Sequence, residues 1–182
     1  MRMCLRAALA MGAFLALSAA LPPAAVLADP PMPDWWPGTP ERVAIREQIE
    51  ALSTEYYYRI DHGDAEGVVE LFTPAGVFHP GGSPPLVGRE AIRAYYSARS
   101  KTRLTRHVGT NLRLTYVDAD HVDVVRTVTH YGGEPHGTPG TDPADPSVME
   151  YRESVVRGAD RKWRYTLRAA TSLFSKSGEH AQ

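Results

Sequence analysis

Cysteine is almost missing from this chain: Cys4 is the only one among 182 residues. That excludes an internal disulfide framework and any multi-cysteine metal site. A surplus of either charge is missing too. Twenty Lys and Arg face 21 Asp and Glu, a formal net charge of −1. No basic stripe recruits a polyanion, so nucleic acid is not expected as a partner. The sequence shows no internal repeat, and its apolar runs are short for a membrane-spanning helix. What remains is 43% hydrophobic and 23% charged, the composition of one ordinary globular domain.

Residues 1–28 read as an export signal. Arg2 and Arg6 give a positive start, an uncharged apolar run follows from Ala7 to Ala20, and Val26-Leu27-Ala28 suit a cleavage site. Cleavage would remove Cys4 and leave a cysteine-free chain, compatible with an oxidising compartment. The expected location is periplasmic or secreted, with no membrane attachment afterwards. Residues 29–40 form a lead-in rich in proline and tryptophan, with Trp35 or Trp36 available to dock on the body. The domain is expected over 41–175, and 176–182 as a disordered tail.

Thr39-Pro40 looks like an N-cap followed by proline at the first helical position. Ile45, Ile49, Leu52, Tyr56 and Ile60 then recur at helical spacing, which predicts a helix from Glu41 to Asp61 closed by Gly63. Asp64 caps a short second helix carrying Val68, Val69, Leu71 and Phe72. Gly76 to His79 reads as a short strand, Pro80 to Gly88 as a loop, and Arg89 to Ser100 as a third helix. The period then changes to two. Strands are expected at Thr105–Val117, His121–Tyr131, Val148–Arg157 and Lys162–Phe174. Between the second and third of these, Gly132 to Ser147 holds four glycines and four prolines and reads as an irregular exposed loop. Helices first and antiparallel strands after is an α+β pattern, with three helices covering one face of a curved sheet.

Few residues can carry chemistry. Asp61 ends the long helix, where the negative end of the macrodipole should raise its pKa and suit it to act as a base. It falls at the edge of the apolar stripe, so a solvated helix-terminal Asp is the competing reading. His107 begins a strand, and Asn111, four residues on, should share its sheet face across Gly109. A structural or exposed His107 is the plainer reading. His130 shares parity with Val122, Val124 and Val128; a buried, satisfied histidine is the commoner explanation. Arg126 has that parity too and needs an anion or a place in a pocket. His79 ends the short strand near the expected cavity mouth. Tyr57 lies one turn before Asp61 and could donate to a substrate carbonyl. The histidines lack tight ligand spacing, so no metal is expected.

The order of these pieces resembles the SnoaL-like branch of the nuclear transport factor 2-like superfamily. The residues that carry the likeness are Tyr56-Tyr57-Tyr58-Arg59-Ile60-Asp61-His62-Gly63-Asp64, Leu71-Phe72-Thr73-Pro74-Ala75-Gly76-Val77-Phe78, Val87-Gly88-Arg89-Glu90-Ala91-Ile92, Arg106-His107-Val108-Gly109-Thr110-Asn111, Tyr151-Arg152 and Trp163-Arg164. The resemblance implies a cone-shaped α+β barrel, a homodimer formed through the outer sheet face, and His107 inside the cone. It implies no single chemistry, because dehydratases, isomerases, cyclases, epoxide hydrolases and binding modules share the fold. The scytalone dehydratases of this superfamily resemble the chain in an Asp after the first helix and two strand histidines, here Asp61, His107 and His130. Their two carbonyl-binding tyrosines fall on Ile60 and Pro80, so that pair is absent.

The leading expectation is an exported, cofactor-independent acid/base enzyme of dehydratase or isomerase type. Its substrate would be a small, largely apolar cyclic or carbonyl compound. Asp61, His107 and His130 would do the proton chemistry, while Tyr57, Asn111 and His79 contact the substrate. Two alternatives are a non-catalytic module binding a small hydrophobic ligand, and a partner subunit of the dioxygenase small-chain kind. Export speaks against the last.

Overall fold

The computed structural model describes residues 33, 36–100, 104–133 and 145–174. The expected signal, half of the lead-in, the middle of the long loop and the tail lie outside the described residues. Three helices and six strands follow in the order α1 (Pro40–Asp61), α2 (Ala65–Glu70), β1 (Phe72–His79), β2 (Leu86–Val87), α3 (Gly88–Ser97), β3 (Leu104–Tyr116), β4 (His121–Gly133), β5 (Asp145–Arg157) and β6 (Trp163–Phe174). The strands form one sheet, ordered β2-β1-β6-β5-β4-β3. Among the described residues only the β1–β6 pairing is parallel.

Local chemistry sets the helix ends. Thr39 accepts from the Arg42 amide at 3.3 Å, with Pro40 behind it at the first helical position. Gly63 takes φ +74°, a left-handed conformation that costs glycine little. The Asp64 carboxylate then accepts from the Gly67 amide at 2.8 Å and starts α2. The apolar stripe of α1, Ile45, Ile49, Leu52, Tyr56 and Ile60, is buried against the sheet. Val68 and Val69 of α2 and Ile92 and Tyr96 of α3 complete the helical side of one core. Trp36 remains 45% exposed.

Several boundaries depart from expectation. Phe72 opens β1 rather than closing α2, because it pairs with Tyr165 and the Tyr165 amide donates to the Leu71 carbonyl at 2.9 Å. The segment read as a loop contains β2, whose two residues pair with Val77 and Phe78 and are too short to show a period. Helix α3 stops at Ser97, three residues early. Strands β4 and β5 extend their ladder into the segment expected to be loop, out to Gly132 opposite Asp145.

Two irregularities turn side chains over. Strand β3 slips against β4 between Thr110 and Arg113, and β6 slips against β5 beside Ser154 and Val155. A bulge of this kind reverses which alternate residues face the core. Thr105, His107 and Gly109 thus share parity before the first slip, whereas the even residues Leu112, Leu114 and Tyr116 pack on the core after it.

Candidate active site

The last turn of α1 delivers Asp61 to the start of β3. Three donors converge on its carboxylate. The Thr105 hydroxyl donates to Oδ1 at 2.8 Å, the His107 backbone amide to Oδ2 at 2.9 Å, and His107 Nδ1 to Oδ1 at 2.6 Å. Both side chains are withdrawn from solvent, at 7% and 8% exposure. Burial alone would raise the Asp61 pKa. The bonds from His107 and Thr105, together with the attraction of His107, outweigh it and hold the carboxyl below its ordinary value. This corrects the expectation of an upward drift from the helix end, because direct donors outweigh the dipole. Asp61 is an anion, not the base.

An ionised carboxylate accepts and cannot donate, so Nδ1 carries the proton. Nε2 of the neutral ring is left as the basic atom. Burial, assisted by the charges of Arg99 and Arg168, lowers the His107 pKa below its ordinary value despite the pull of Asp61. At neutral pH the pair is therefore a neutral imidazole held by a carboxylate.

His130 stands opposite His107 in the β3–β4 register, with ring centroids 4.7 Å apart. Both line a cavity of about 490 Å³, whose wall includes Phe78, Tyr95, Tyr96, Arg99, Met149 and Tyr151. That volume suits a small ligand. A neighbouring cleft of about 420 Å³ is lined by Asp61, His62 and Ser100, and it shares Ile60, Tyr96 and Arg99 with the cavity.

Tyr57 is not among the cavity-lining residues. Its ring lies parallel to His107, with centroids 5.9 Å apart and planes 4° apart, and its hydroxyl accepts from Arg168 Nη2 at 3.3 Å. The stack needs Gly109, since a Cβ there would stand 2.8 Å from Tyr57 Cε2. Asn111 is exposed at the β3 bulge with φ +53° and does not join His107 on its face. Asn is among the residues that tolerate this conformation. His79 also falls away from the cavity wall: its neighbours Phe78 and Pro80 line it, and alternation sends His79 the other way.

Sequence reasoning overlooked most of what surrounds the pair. Thr105 holds Asp61 from β3. Tyr151 lines the cavity from β5, and its hydroxyl has no hydrogen-bond partner among the described residues. Burial, partly offset by Arg168, pushes it up to about 12, so it stays a neutral donor. Beneath it Arg168 is fully buried and paired with Glu153, its guanidinium 3.9 Å from the Tyr56 ring centre and 4.3 Å from that of Tyr151. Arg126 finds the anion its parity demanded, with Nε 3.3 Å from Glu153 Oε2. The parity of Glu153 with Tyr151 and Val155 was a readable signal; the β6 slip concealed Arg168.

Among the described residues no group of three or more His, Cys, Asp or Glu is placed to hold a metal ion. The fold is shared with proteins of several activities. One is a candidate scytalone dehydratase from Novosphingobium aromaticivorans, 18% identical over 74% of this chain and 87% of that one, with TM-score 0.65. Another is a type 2 hexachlorocyclohexane dehydrochlorinase, 20% identical over 78% and 95%, with TM-score 0.61. A third, from Catenulispora acidiphila in complex with S-DNPA, is 22% identical over 71% and 94%, also with TM-score 0.61. At such identities the likeness establishes the nuclear transport factor 2-like fold alone. The family model for the SnoaL-like domain matches residues 41–169, most of the chain. The chain belongs to the SnoaL-like domain family.

Proposed function

We propose that the protein is an exported acid/base enzyme that moves a proton on a small, ring-sized, largely apolar substrate, by dehydration, isomerisation or a related elimination. One observation carries the reading: a buried Asp61–His107 pair whose imidazole is neutral and lines an aromatic cavity. Nε2 of His107 takes a proton from a substrate carbon activated by a neighbouring carbonyl. The resulting imidazolium is stabilised by Asp61, as in other histidine–carboxylate pairs. In an isomerisation the imidazolium returns the proton to another carbon of the substrate. In a dehydration the proton goes to the departing oxygen, with His130 beside His107 to pass it, and water leaves. The Tyr151 hydroxyl is available to the developing oxyanion.

Dehydratase and dehydrochlorinase names among proteins of the same fold agree with this chemistry, and the S-DNPA complex shows a relative that holds a small ligand. Export rests on the pattern of residues 1–28. A homodimer through the outer sheet face agrees with the exposed Val108, Tyr131 and Leu167 of β3, β4 and β6.

A substrate-independent assay tests the reading. A panel of small cyclic ketones is incubated in D2O with protein and followed by mass for exchange of the hydrogen next to the carbonyl. Exchange with the wild type that is lost in His107→Gln is the expected result. Exchange that persists in His107→Gln removes His107 from its role. A panel untouched by the wild type, with a small molecule retained in native mass spectra, makes the cavity a binding module instead.

A further inference from the structure

Among the described residues Arg99 is the one guanidinium on the cavity wall. It follows α3, where its amide donates to the Tyr96 carbonyl at 3.3 Å, and its side chain is half-buried. The guanidinium lies 6.0 Å from the Tyr96 ring centre. Most other half-buried or buried arginines meet an oxygen: Arg59, Arg126, Arg157 and Arg168 meet carboxylates, and Arg46 and Arg89 meet backbone carbonyls; Arg42 lies over the Tyr116 ring, 4.7 Å from its centre, and does not line the cavity. No carboxylate or carbonyl receives the Arg99 guanidinium among the described residues. A half-buried guanidinium that lines a cavity without a protein acceptor is placed to receive an anion by charge-assisted bonds. The remaining wall is mainly aromatic and aliphatic, and its two histidines are the proton-handling groups.

We infer that the cavity takes a small cyclic acid, whose carboxylate is received by Arg99 while its ring lies between Phe78, Tyr96 and Tyr151, with its reacting carbon toward His107. The inference rests on the reading of this cavity as the substrate site and names the class of substrate. Arginine suits the task because its planar fork matches a carboxylate with two parallel bonds. Position adds a second effect. The charge of Arg99 opposes protonation of His107, so an anion on Arg99 relieves that opposition. The substrate thereby makes His107 a better base as it binds.

Benzoate and benzamide are the probes, because they share a ring and differ in charge. Each is titrated against the full-length mature protein while the His107 and His130 ring resonances are followed by NMR. Benzoate is expected to bind at least about tenfold more tightly than benzamide, the worth of one charge-assisted contact, and to raise the His107 midpoint. Arg99→Gln should erase the preference; Arg99→Lys should keep part of it. Equal binding of the two probes, or a preference that survives in Arg99→Gln, overturns the inference while leaving the cavity reading intact. If neither probe moves either histidine, the cavity reading fails and the inference fails with it.

Discussion

Replacing Asp61 in two ways separates what it does for stability from what it does for His107. Asp61 accepts from three donors, and only two of them can reverse. The His107 backbone amide must donate, whereas the Thr105 hydroxyl can rotate and the imidazole can change tautomer. In Asp61→Asn the amide oxygen therefore faces the backbone amide at the Oδ2 position, and the NH2 group occupies the Oδ1 position. There it donates to Thr105 and to a now unprotonated Nδ1, and the ring proton moves to Nε2. Every polar group stays paired, so the loss is mainly charge assistance, about 1 kcal/mol. Asp61→Ala instead leaves three donors without an acceptor at a site 7% exposed. At about 1–3 kcal/mol for each unsatisfied group, relieved in part by water from the adjoining cleft, about 3 kcal/mol is lost. For a chain of this size these losses lower Tm by roughly 3 °C and roughly 10 °C. Thermal unfolding near pH 7.5 measures both, and a long-range proton–nitrogen NMR spectrum reports the tautomer. Activity should nevertheless fall by about 10⁴ in Asp61→Asn, since the basic nitrogen no longer faces substrate. An Asn variant as unstable as the Ala variant, or one that keeps the proton on Nδ1, refutes the argument.

Acid should destabilise the fold through the same pair. Asp61 and His107 both have folded pKa values below their ordinary 3.8 and 6.5. Each contribution is present above the ordinary value and is lost as pH falls through the folded one, so denaturation midpoints should drop first as pH falls below 6.5, then again below 3.8; a midpoint flat from pH 7 to pH 4 contradicts this. Gly109→Ala should cost about 1–3 kcal/mol by driving Tyr57 off the His107 ring, and urea titration would reveal an error by showing no change. Glu153→Gln strips the carboxylate from two buried guanidiniums and should cost about 3–5 kcal/mol; soluble protein with wild-type stability would show that Arg168 is held by its tyrosine surroundings instead.

Much of the fold was legible because its signals are local. Thr39, Pro40, Gly63 and Asp64 punctuate two helices by capping chemistry that needs no tertiary context. The even parity of Val122, Val124, Arg126, Val128 and His130 survives because β4 runs in unbroken register against β5. The site was legible where it depends on such features: a helix end for Asp61, a strand start for His107, and an unbroken strand for His130. It was illegible where register slips. Period-two reasoning carried across the β3 slip put Asn111 on the His107 face, and across the β6 slip it hides Arg168. Tyr57 was placed on the correct side of α1, but no sequence pattern shows that its hydroxyl meets Arg168 rather than the cavity. The sign of the Asp61 shift was lost for the same reason, because Thr105 and the His107 amide reach it only through tertiary structure.

The ring of His107 in the wild-type protein tests the central claim most directly. A pH titration by proton–nitrogen NMR reads its tautomer and its midpoint together. The account predicts a proton on Nδ1, an unprotonated Nε2 at pH 7 and a midpoint below 6.5. A proton resident on Nε2, or a midpoint at or above 6.5, would contradict it.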